Sequence, residues 1–499
     1  MLIGLVFHSH LGNTGPISTD RAINGPHLAR LLGAWRSPDT AYSALAGAIR
    51  LLVLDGRLPL RTRLPGEREL AIALGVSRTT ATAAYDALRD QGFLVSRRGS
   101  GSWTGLPADR LSAPTRLEPR GSETLIDLSF AAPAAPAGAL HHALSAATVQ
   151  LPRHLPASGY DVLGLEVLRA AIAAHLTRRG VATAPEQVLV TAGAQHALML
   201  LLHLLAGPGD RVLVEHPTYP NALEAIRAVG ARPVPVALSA DGWDLEMHAA
   251  TLRQAAPRMS YVIPDNQNPT GLTLPDSDRA ALVEQARSTR SLLVVDETMA
   301  EIRLDDDAPG NAPMAGYDPA GDTVVAIGSM SKAFWAGLRI GWIRASPTLV
   351  RQLALVRATI DLCSPVVEQL MAAELLADPD AVLLPQRDAL RARRDALAAA
   401  LGAALPGWNF RLPAGGLSLW AELDAPASST LAAVAERHGV RLAAGPRFGV
   451  DGAFERFLRL PYTLPEQQLS DAVERLAVAW RSVASEGSRP AAARLTLVV

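Results

Sequence analysis

From residue 125 onward, helical patterns alternate with short β-branched runs, and this alternation constrains the fold more than any other feature of the chain. The runs that we expect to form strands are 188–190, 211–214, 259–263, 292–295 and 323–327. Strands that alternate with helices are typical of a mostly parallel sheet covered by helices on its faces. The sequence therefore predicts an α/β domain over residues 125–485, followed by a C-terminal tail at 486–499.

A different local pattern occupies residues 38–104. Gly75 provides a tight turn between two short helices, and Ser77 can cap the second of them. The expected elements are helices over 41–54, 67–74 and 78–91 and hairpin strands at 93–95 and 102–103. This order predicts a winged helix-turn-helix.

Two segments lack a periodic pattern. Residues 1–37 carry scattered Gly, Pro, Ser and Asn, and we expect a flexible leader there. Residues 105–124 are rich in Pro, Ser, Arg and Gly, a composition typical of a linker between domains.

The winged helix carries a local positive charge that the whole chain lacks. The formal net charge is −1, yet residues 39–98 contain nine arginines and six acidic residues. A helix-turn-helix inserts the start of its second helix into the major groove, and the wing and preceding helix contact the backbone. The residues that we expect to contact DNA are Arg68, Ser77, Arg78, Thr79, Thr80, Arg97, Arg98 and Gly99. An arginine-bearing helix pair can also be a solvated face, so this short motif alone does not decide between the two.

The longer string decides in favour of DNA binding. The segments LDGRL (54–58), LP (64–65), ERELA (67–71) and GVSR (75–78), followed by a Gly-rich wing, resemble the winged helix of the GntR family. Gly66 departs from that family, which often has serine there, and this weakens a helix cap.

Lys332 is the only lysine among 47 basic side chains, and the other 46 are arginine. Composition alone leaves open that one lysine survived by chance. However, a lysine amine can be desolvated, deprotonated and condensed with a carbonyl to an imine, whereas a guanidinium stays charged. Lys332 is therefore a candidate catalytic residue.

The neighbours of Lys332 suit a phosphorylated aldehyde. Ser329 and Ser331 precede it and Arg339 follows, so hydroxyls and a guanidinium are available for a phosphate. Asp296 ends an apolar run, where it can pair with a protonated pyridine nitrogen or, equally, cap a helix.

The string GSMSK (328–332) with Arg339 resembles the Schiff-base segment of fold-type I aminotransferases, and the resemblance covers about 125–483. It implies pyridoxal phosphate as cofactor, a large domain with a small C-terminal α+β domain, and a homodimer. It assigns Asn268 to the ring hydroxyl, Tyr219 to ring stacking, and the amides of Ala194 and Gln195 to phosphate. The resemblance also assigns Arg459 to a substrate carboxylate and Tyr160 to the partner subunit's site. Taken one at a time, each of these residues could equally have an ordinary structural role, such as a turn or a salt bridge.

Both halves together resemble the MocR type of GntR regulators, which implies a regulator that binds operator DNA and senses a small amino compound. The alternatives are an active aminotransferase with an appended DNA-binding domain and a cofactor-free scaffold. One departure bears on catalysis. The family usually has a tyrosine two or three residues after the aspartate, but this chain has Thr298 and Met299.

Other features exclude several classes of protein. Cys363 is the single cysteine, so no intramolecular disulfide and no cysteine-cluster metal site can form. The N-terminus lacks a basic leader and a cleavage signal, and the longest apolar run, 197–206, is too short to cross a bilayer. We therefore expect a cytoplasmic protein without a metal site or a membrane segment.

Overall fold

The computed structural model describes residues 21–33, 35–36, 40–54, 58, 62–97, 101–105, 125–240, 242–305 and 312–485. The chain divides into two compact units, Met1–Leu111 and Ser112–Val499. Arg98, Gly99, most of the expected linker and the tail at 486–499 lie outside the described residues. No helix in the described ranges is both long and apolar enough to cross a membrane.

Unit 1 combines a helix-turn-helix with a small sheet. Its helices are α1 Gly25–Leu32, α2 Ala41–Leu54, α3 Glu67–Leu74 and α4 Arg78–Asp90. Its strands are β1 Arg21–Ala22, β2 Thr62–Arg63, β3 Leu94–Arg97 and β4 Gly101–Thr104, in the sheet order β1-β2-β4-β3. The three expected helices are present, and the wing strands lie one or two residues from their predicted bounds.

The caps explain why the helix-turn-helix forms where it does. Gly75 ends α3 in the left-handed region, at φ 64°, and glycine adopts this conformation without a steric penalty. The Ser77 hydroxyl then accepts a hydrogen bond from the Thr80 amide at 3.0 Å and starts α4. Gly66 provides no side-chain cap for α3, as expected for a residue without a side chain.

Residues 21–33 contradict the expectation of a flexible leader over 1–37. β1 pairs in parallel with β2, and the Asn24 side chain caps α1 by accepting from the His27 amide at 2.9 Å. Leu28 is fully buried in the core of unit 1. The prediction was wrong here because Asn and Pro, which we took as signs of a loop, also begin helices: Asn24 caps α1 and Pro26 lies in its first turn. Residues 1–20 lie outside the described residues.

Unit 2 is built on an eight-stranded sheet with the order β6-β13-β12-β11-β10-β7-β8-β9. These strands are β6 Val188–Thr191, β7 Arg211–His216, β8 Arg232–Ser239, β9 Gly242–Trp243, β10 Met259–Val262, β11 Leu292–Asp296, β12 Val324–Ser329 and β13 Gly341–Arg344. The central pairs from β12 to β8 are parallel, whereas β13 runs antiparallel to both of its neighbours. The sheet is therefore mixed, with the expected parallel centre.

Helices cover both faces of this sheet. The helices of unit 2 are α5 Ala137–Gln150, α6 Glu166–Arg178, α7 Ala194–Leu205, α8 Pro220–Ala228, α9 Leu245–Ala255, α10 Asp276–Thr289, α11 Pro347–Arg357, α12 Val366–Ala377, α13 Asp380–Ala404, α14 Ser428–Arg437 and α15 Glu466–Ser485. Val294 faces the core shared with α7, α8 and α11, while Leu293 and Val295 face the core under α10. Both faces are thus buried, as a parallel sheet requires.

A smaller antiparallel sheet lies in the C-terminal part of unit 2. Its strands are β14 Asn409–Phe410, β15 Ser418–Glu422, β17 Ala443–Ala444 and β18 Phe457–Pro461, and β5 Ile126–Asp127 pairs separately with β16 Val440–Arg441. Helices α13, α14 and α15 pack with this sheet around one core. This is the small α+β domain that the sequence predicts.

Candidate functional site

Lys332 lies just after β12, in a short π-helical turn, Ser331–Trp335. Its side chain is 9 % exposed, and Nζ donates a hydrogen bond to the Ala131 carbonyl oxygen at 2.9 Å. Burial disfavours the ammonium and lowers the pKa of Lys332 to about 7, assisted by the guanidinium groups of Arg459 and Arg339 and opposed by Asp296. A large fraction of this amine is therefore neutral near pH 7.

Asp296 ends β11, the strand next to β12, and is held at both of its oxygens. The Tyr261 hydroxyl donates to Oδ2 at 2.6 Å, and the Thr298 amide donates to Oδ1 at 2.9 Å. Burial raises the pKa of Tyr261 well above its usual value, so the phenol remains a donor. The carboxylate is thereby fixed at the same sheet edge as Lys332.

The turn between β6 and α7 has the form of an anion-binding cradle. Gly193 has φ 87°, and a Cβ atom there would meet Arg339 Nη2 at 2.9 Å. Arg339 Nη2 donates to the Ala192 carbonyl oxygen at 2.8 Å. The first amides of α7, at Ala194 and Gln195, have no acceptor within the helix, and Gly193 provides no side-chain cap for them.

The two predicted hydroxyls lie beside Lys332 on the same turn. Ser329 Oγ donates to Ser331 Oγ at 3.0 Å and accepts from the Ser331 amide at 3.2 Å. Both side chains are less than a tenth exposed. They are therefore ordered before any ligand binds.

Asn268 and Tyr219 lie on two loops that converge on the same region. Asn268 Oδ1 accepts from Arg459 Nη1 at 3.4 Å. The Tyr219 hydroxyl accepts from Asn221 Nδ2 at 2.9 Å, and Gln195 Nε2 donates to the Asn221 carbonyl oxygen at 3.2 Å. This chain of contacts joins the Tyr219 loop to the start of α7.

Arg459 is fully buried on β18, and no carboxylate among the described residues forms an ion pair with it. Its Nη2 donates to the Ser129 carbonyl oxygen at 2.5 Å, and its guanidinium lies 5.1 Å from the centre of the Phe448 ring. Burial lowers the pKa of Arg459 to about 10. Because Nε also has no partner, this cation is available to a ligand carboxylate.

Thr298 and Met299 stand at the two positions after Asp296 where the family usually has a tyrosine, and neither can replace its phenol. Thr298 Oγ1 is buried without a hydrogen-bond partner, and Met299 packs into the core of the small domain. Tyr160 is 71 % exposed, so it lies outside the buried cluster around Lys332. Its role in a partner subunit's site stays a prediction.

Sequence reasoning missed Tyr261 and His196. His196 Nδ1 accepts a hydrogen bond from the Ala192 amide at 3.0 Å and so fixes the turn before α7. Burial lowers the pKa of His196, which keeps the imidazole neutral and able to accept. Tyr261 could have been found only by pairing β10 with β11, since its contact with Asp296 crosses between strands.

The predicted DNA-contact residues of α3 and α4 lie at the surface of unit 1. Arg68, Ser77, Arg78 and Thr79 are exposed, and Thr80 is half-buried. Among the described residues, neither Arg68 nor Arg78 has an acidic partner, whereas Arg89 on the same helix pairs with Glu67 at 3.3 Å. Arg98 and Gly99 and the side chain of Arg97 lie outside the described residues. The two unpaired guanidinium groups are thus available to phosphates or bases.

Both units are similar to known proteins. Residues 141–476 match the family Aminotransferase class I and II, and residues 41–103 match Bacterial regulatory proteins, gntR family. "Probable rhizopine catabolism regulatory protein MocR" of Rhizobium meliloti is 34% identical over 324 residues, which cover 60% of this chain and 64% of that relative. The first curated match thus spans slightly less than two thirds of the relative's length.

Two further similarities cover more of the other protein. The pyridoxine biosynthesis transcriptional regulator PdxR of Corynebacterium glutamicum is 30% identical over 414 residues, which are 80% of this chain and 87% of that relative. The crystal structure of LysN, an alpha-aminoadipate aminotransferase from Thermus thermophilus complexed with N-(5'-phosphopyridoxyl)-L-leucine, superposes with a TM-score of 0.67 at 26% identity. That match covers 74% of this chain and 96% of the other, so unit 2 has the fold-type I aminotransferase fold.

The pKa of Lys332 predicts how covalent attachment of an aldehyde depends on pH. The neutral amine is the nucleophile, so the rate at which added pyridoxal phosphate attaches to the cofactor-free protein should rise through about pH 7 and then level off. The absorbance of the attached cofactor measures this rate by rapid mixing. Lys332→Ala serves as the control and should show no such phase. A wild-type rate that keeps rising to about pH 10, as for an exposed lysine, would contradict the buried amine.

Proposed function

The chain belongs to the MocR-type regulators of the GntR family, and we propose that it is a transcription regulator with two ligand sites. Unit 1 binds double-stranded operator DNA. Unit 2 binds pyridoxal phosphate covalently through Lys332 and senses a small amino compound.

One observation carries the cofactor assignment. The only lysine of the chain is buried at the sheet edge, and its Nζ bonds a neutral carbonyl oxygen rather than a carboxylate. A structural lysine would need a carboxylate partner to offset the cost of burial. An amine that must become neutral and nucleophilic needs the opposite environment.

The residues around Lys332 fit the rest of the cofactor. Relatives of this fold depend on pyridoxal phosphate, and the buried side-chain oxygens of Gln195, at the start of α7, and Thr298, two residues after Asp296, have no hydrogen-bond partner among the described residues. We assign Asp296 to the ring nitrogen, Asn268 to the ring hydroxyl and Tyr219 to the ring face. The phosphate would be held by the amides of Ala194 and Gln195, the hydroxyls of Ser329 and Ser331, and Arg339.

The chemistry of the bound cofactor defines the class of effector. When bound, its aldehyde captures primary amines and its protonated ring withdraws electrons from them. Arg459 presents a buried cation that pairs with no acidic side chain in the described part of the chain, so it binds a carboxylate on the same ligand. The effector is therefore an amino acid or a related amino carboxylate that takes the place of Lys332.

Sensing follows from a shift between two states of the protein. A ligand changes DNA affinity only if it binds one state more tightly than the other. We propose a homodimer, in which exposed Tyr160 reaches the partner's site and two copies of α4 contact paired half-sites in the cytoplasm. This arrangement would let the occupancy of Lys332 control how the two winged helices meet DNA.

A catalytically active transaminase is the second candidate, because relatives include a 2-aminoadipate transaminase of Thermus thermophilus, which is 31% identical over 328 residues. Two features favour the regulator. Residues 41–103 match the gntR regulatory family, and the ring oxygen of the cofactor would lack the usual tyrosine at positions 298 and 299. Steady turnover of amino donors with keto acids would favour the enzyme instead.

DNA binding is tested by Arg78→Ala on a duplex from the region directly upstream of the gene for this chain. Loss of a base or phosphate contact by this unpaired arginine should weaken binding by about 1–3 kcal/mol, measured at matched salt. Arg253→Ala is the matched control, since it removes an exposed arginine on α9 in unit 2. Equal affinities of wild type and Arg78→Ala would refute the placement of α4 in the groove.

The role of Arg459 is tested by the choice of ligands. We expect α-amino acids to change both the cofactor absorbance and the DNA affinity, and the corresponding amines without a carboxylate to act much more weakly. In Arg459→Gln this preference should fall by roughly tenfold or more, because a charge-assisted contact is lost. A variant that keeps the wild-type preference would show that the carboxylate is bound elsewhere.

A further inference from the structure

Residues 21–33, which we call the N-terminal clamp, form β1 and α1 ahead of the region that matches the GntR family, 41–103. The clamp shares the core of the DNA-binding unit. Ile23, Leu28 and Leu32 belong to the same apolar cluster as Leu70 of α3. The clamp is therefore part of the folded unit and not a leader to it.

One end of the clamp is bonded to the wing sheet. β1 pairs with β2 in parallel, and the Ile23 amide donates to the Arg63 carbonyl oxygen at 3.0 Å. β2 in turn pairs with β4 through Arg63 and Trp103. β1 is thus joined through β2 to the wing strand β4.

The start of α1 in the clamp is bonded to the first helix of the helix-turn-helix. The Gly25 amide donates to Glu69 Oε1 at 2.7 Å. The contact is close, since a Cβ atom at Gly25 would lie 3.1 Å from Ala73 Cβ and 3.1 Å from the Glu69 carbonyl oxygen. α1 therefore packs directly on α3, the helix that carries Arg68.

An open cleft of about 510 Å³ lies where the clamp, α3 and the wing converge. Asn24 of the clamp, Glu67 of α3 and Ser102 of β4 are among the residues that line it. The start of α3 and β4 are already joined by the hydrogen bond from the Leu64 amide to the Ser102 carbonyl oxygen at 2.9 Å. The clamp adds a second connection between them, through β2 and through the bond from Gly25 to Glu69.

From these contacts we propose that the N-terminal clamp is a positioning element for DNA binding, which holds the wing and the helix-turn-helix in one fixed relation. The inference rests on the proposed function of unit 1 and adds a third part to its DNA-binding machinery. The clamp acts through α3 and β4, not through contacts of its own with DNA. Its exposed basic side chains, His27 and Arg30, are not required.

The expected effect follows from population arithmetic. If the wing and α3 must be held together to bind, the apparent dissociation constant equals the intrinsic one divided by the fraction of molecules whose clamp is in place. A variant in which the clamp is released nine-tenths of the time binds about tenfold more weakly. The number of phosphate contacts stays the same, so the salt dependence of binding does not change.

The test uses the full chain and the duplex from directly upstream of its gene. Gly25→Val drives a side chain between α1 and α3, and Leu28→Ala empties a buried position, while both leave residues 41–103 intact. We expect each to weaken binding by about tenfold with an unchanged slope of log affinity against log salt. His27→Ala and Arg30→Ala are matched controls on the exposed side of α1 and should bind as wild type does.

Hydrogen exchange on the same variants measures, without DNA, whether release of the clamp loosens α3 and β4. The amides of α3 and β4 should exchange faster in Gly25→Val, and those of unit 2 should not. Unchanged exchange in α3 and β4 would overturn the inference about the clamp. Failure of the wild-type protein to bind the duplex would instead overturn the proposed function of unit 1, and the exchange result would still test the clamp. Wild-type affinity in Gly25→Val and Leu28→Ala would overturn it as well. If the slope of log affinity against log salt fell by about one in Arg30→Ala, the clamp would contact a phosphate directly, and the positioning role would be contradicted.

Discussion

The hydrogen bond from Lys332 Nζ to the Ala131 carbonyl oxygen is the interaction on which the rest of the site depends. A buried amine that bonds a carboxylate stays an ammonium, whereas one that bonds a neutral carbonyl loses its proton more easily. Asp296 is near enough to oppose this loss. However, both of its oxygens are already bonded, to Tyr261 and to the Thr298 amide. Tyr261 thus holds the Asp296 carboxylate where we propose that it pairs with the ring nitrogen of the cofactor. The Lys332 amine is then not tied to that carboxylate and can react with an aldehyde.

Charge placement separates the two functions of the chain. In unit 2, Arg459 is buried and has no acidic partner among the described residues, whereas Arg339 is exposed. In unit 1 the important cations are exposed, and Arg68 and Arg78 likewise lack acidic partners in the described part of the chain. An overall charge near zero is therefore compatible with the two sites that we propose, one for a small anion and one for the phosphate backbone. Each would use arginines that have no acidic partner among the described residues.

The sequence predicts those parts of the structure that local rules determine. Gly75 and Ser77 set the ends of α3 and α4 through their own conformations and hydrogen bonds, so these bounds were found correctly. The apolar runs before Asp296 and Lys332 located β11 and β12 because parallel strands are buried on both faces. Those runs also placed both residues at one edge of the sheet.

The remaining features depend on contacts between distant segments. Tyr261 meets Asp296 only because β10 pairs with β11, and no local pattern marks that pairing. β8 was missed because Pro233 and Pro235 interrupt its pattern, and such a strand is tolerated close to the sheet edge. The clamp was missed because Gly, Pro and Asn were taken as signs of a loop, whereas Asn24 and Pro26 begin α1, which then packs on α3.

Reduction of the cofactor-loaded protein with borohydride tests the central claim most directly, because the chain has only one lysine. Reduction would fix a phosphopyridoxyl group to whichever amine holds the cofactor, and peptide mass mapping would locate it. The account predicts the added mass on the peptide that contains Lys332 and none on the N-terminal α-amino group. Modification of the N-terminus alone, with an unmodified Lys332 peptide, would contradict it.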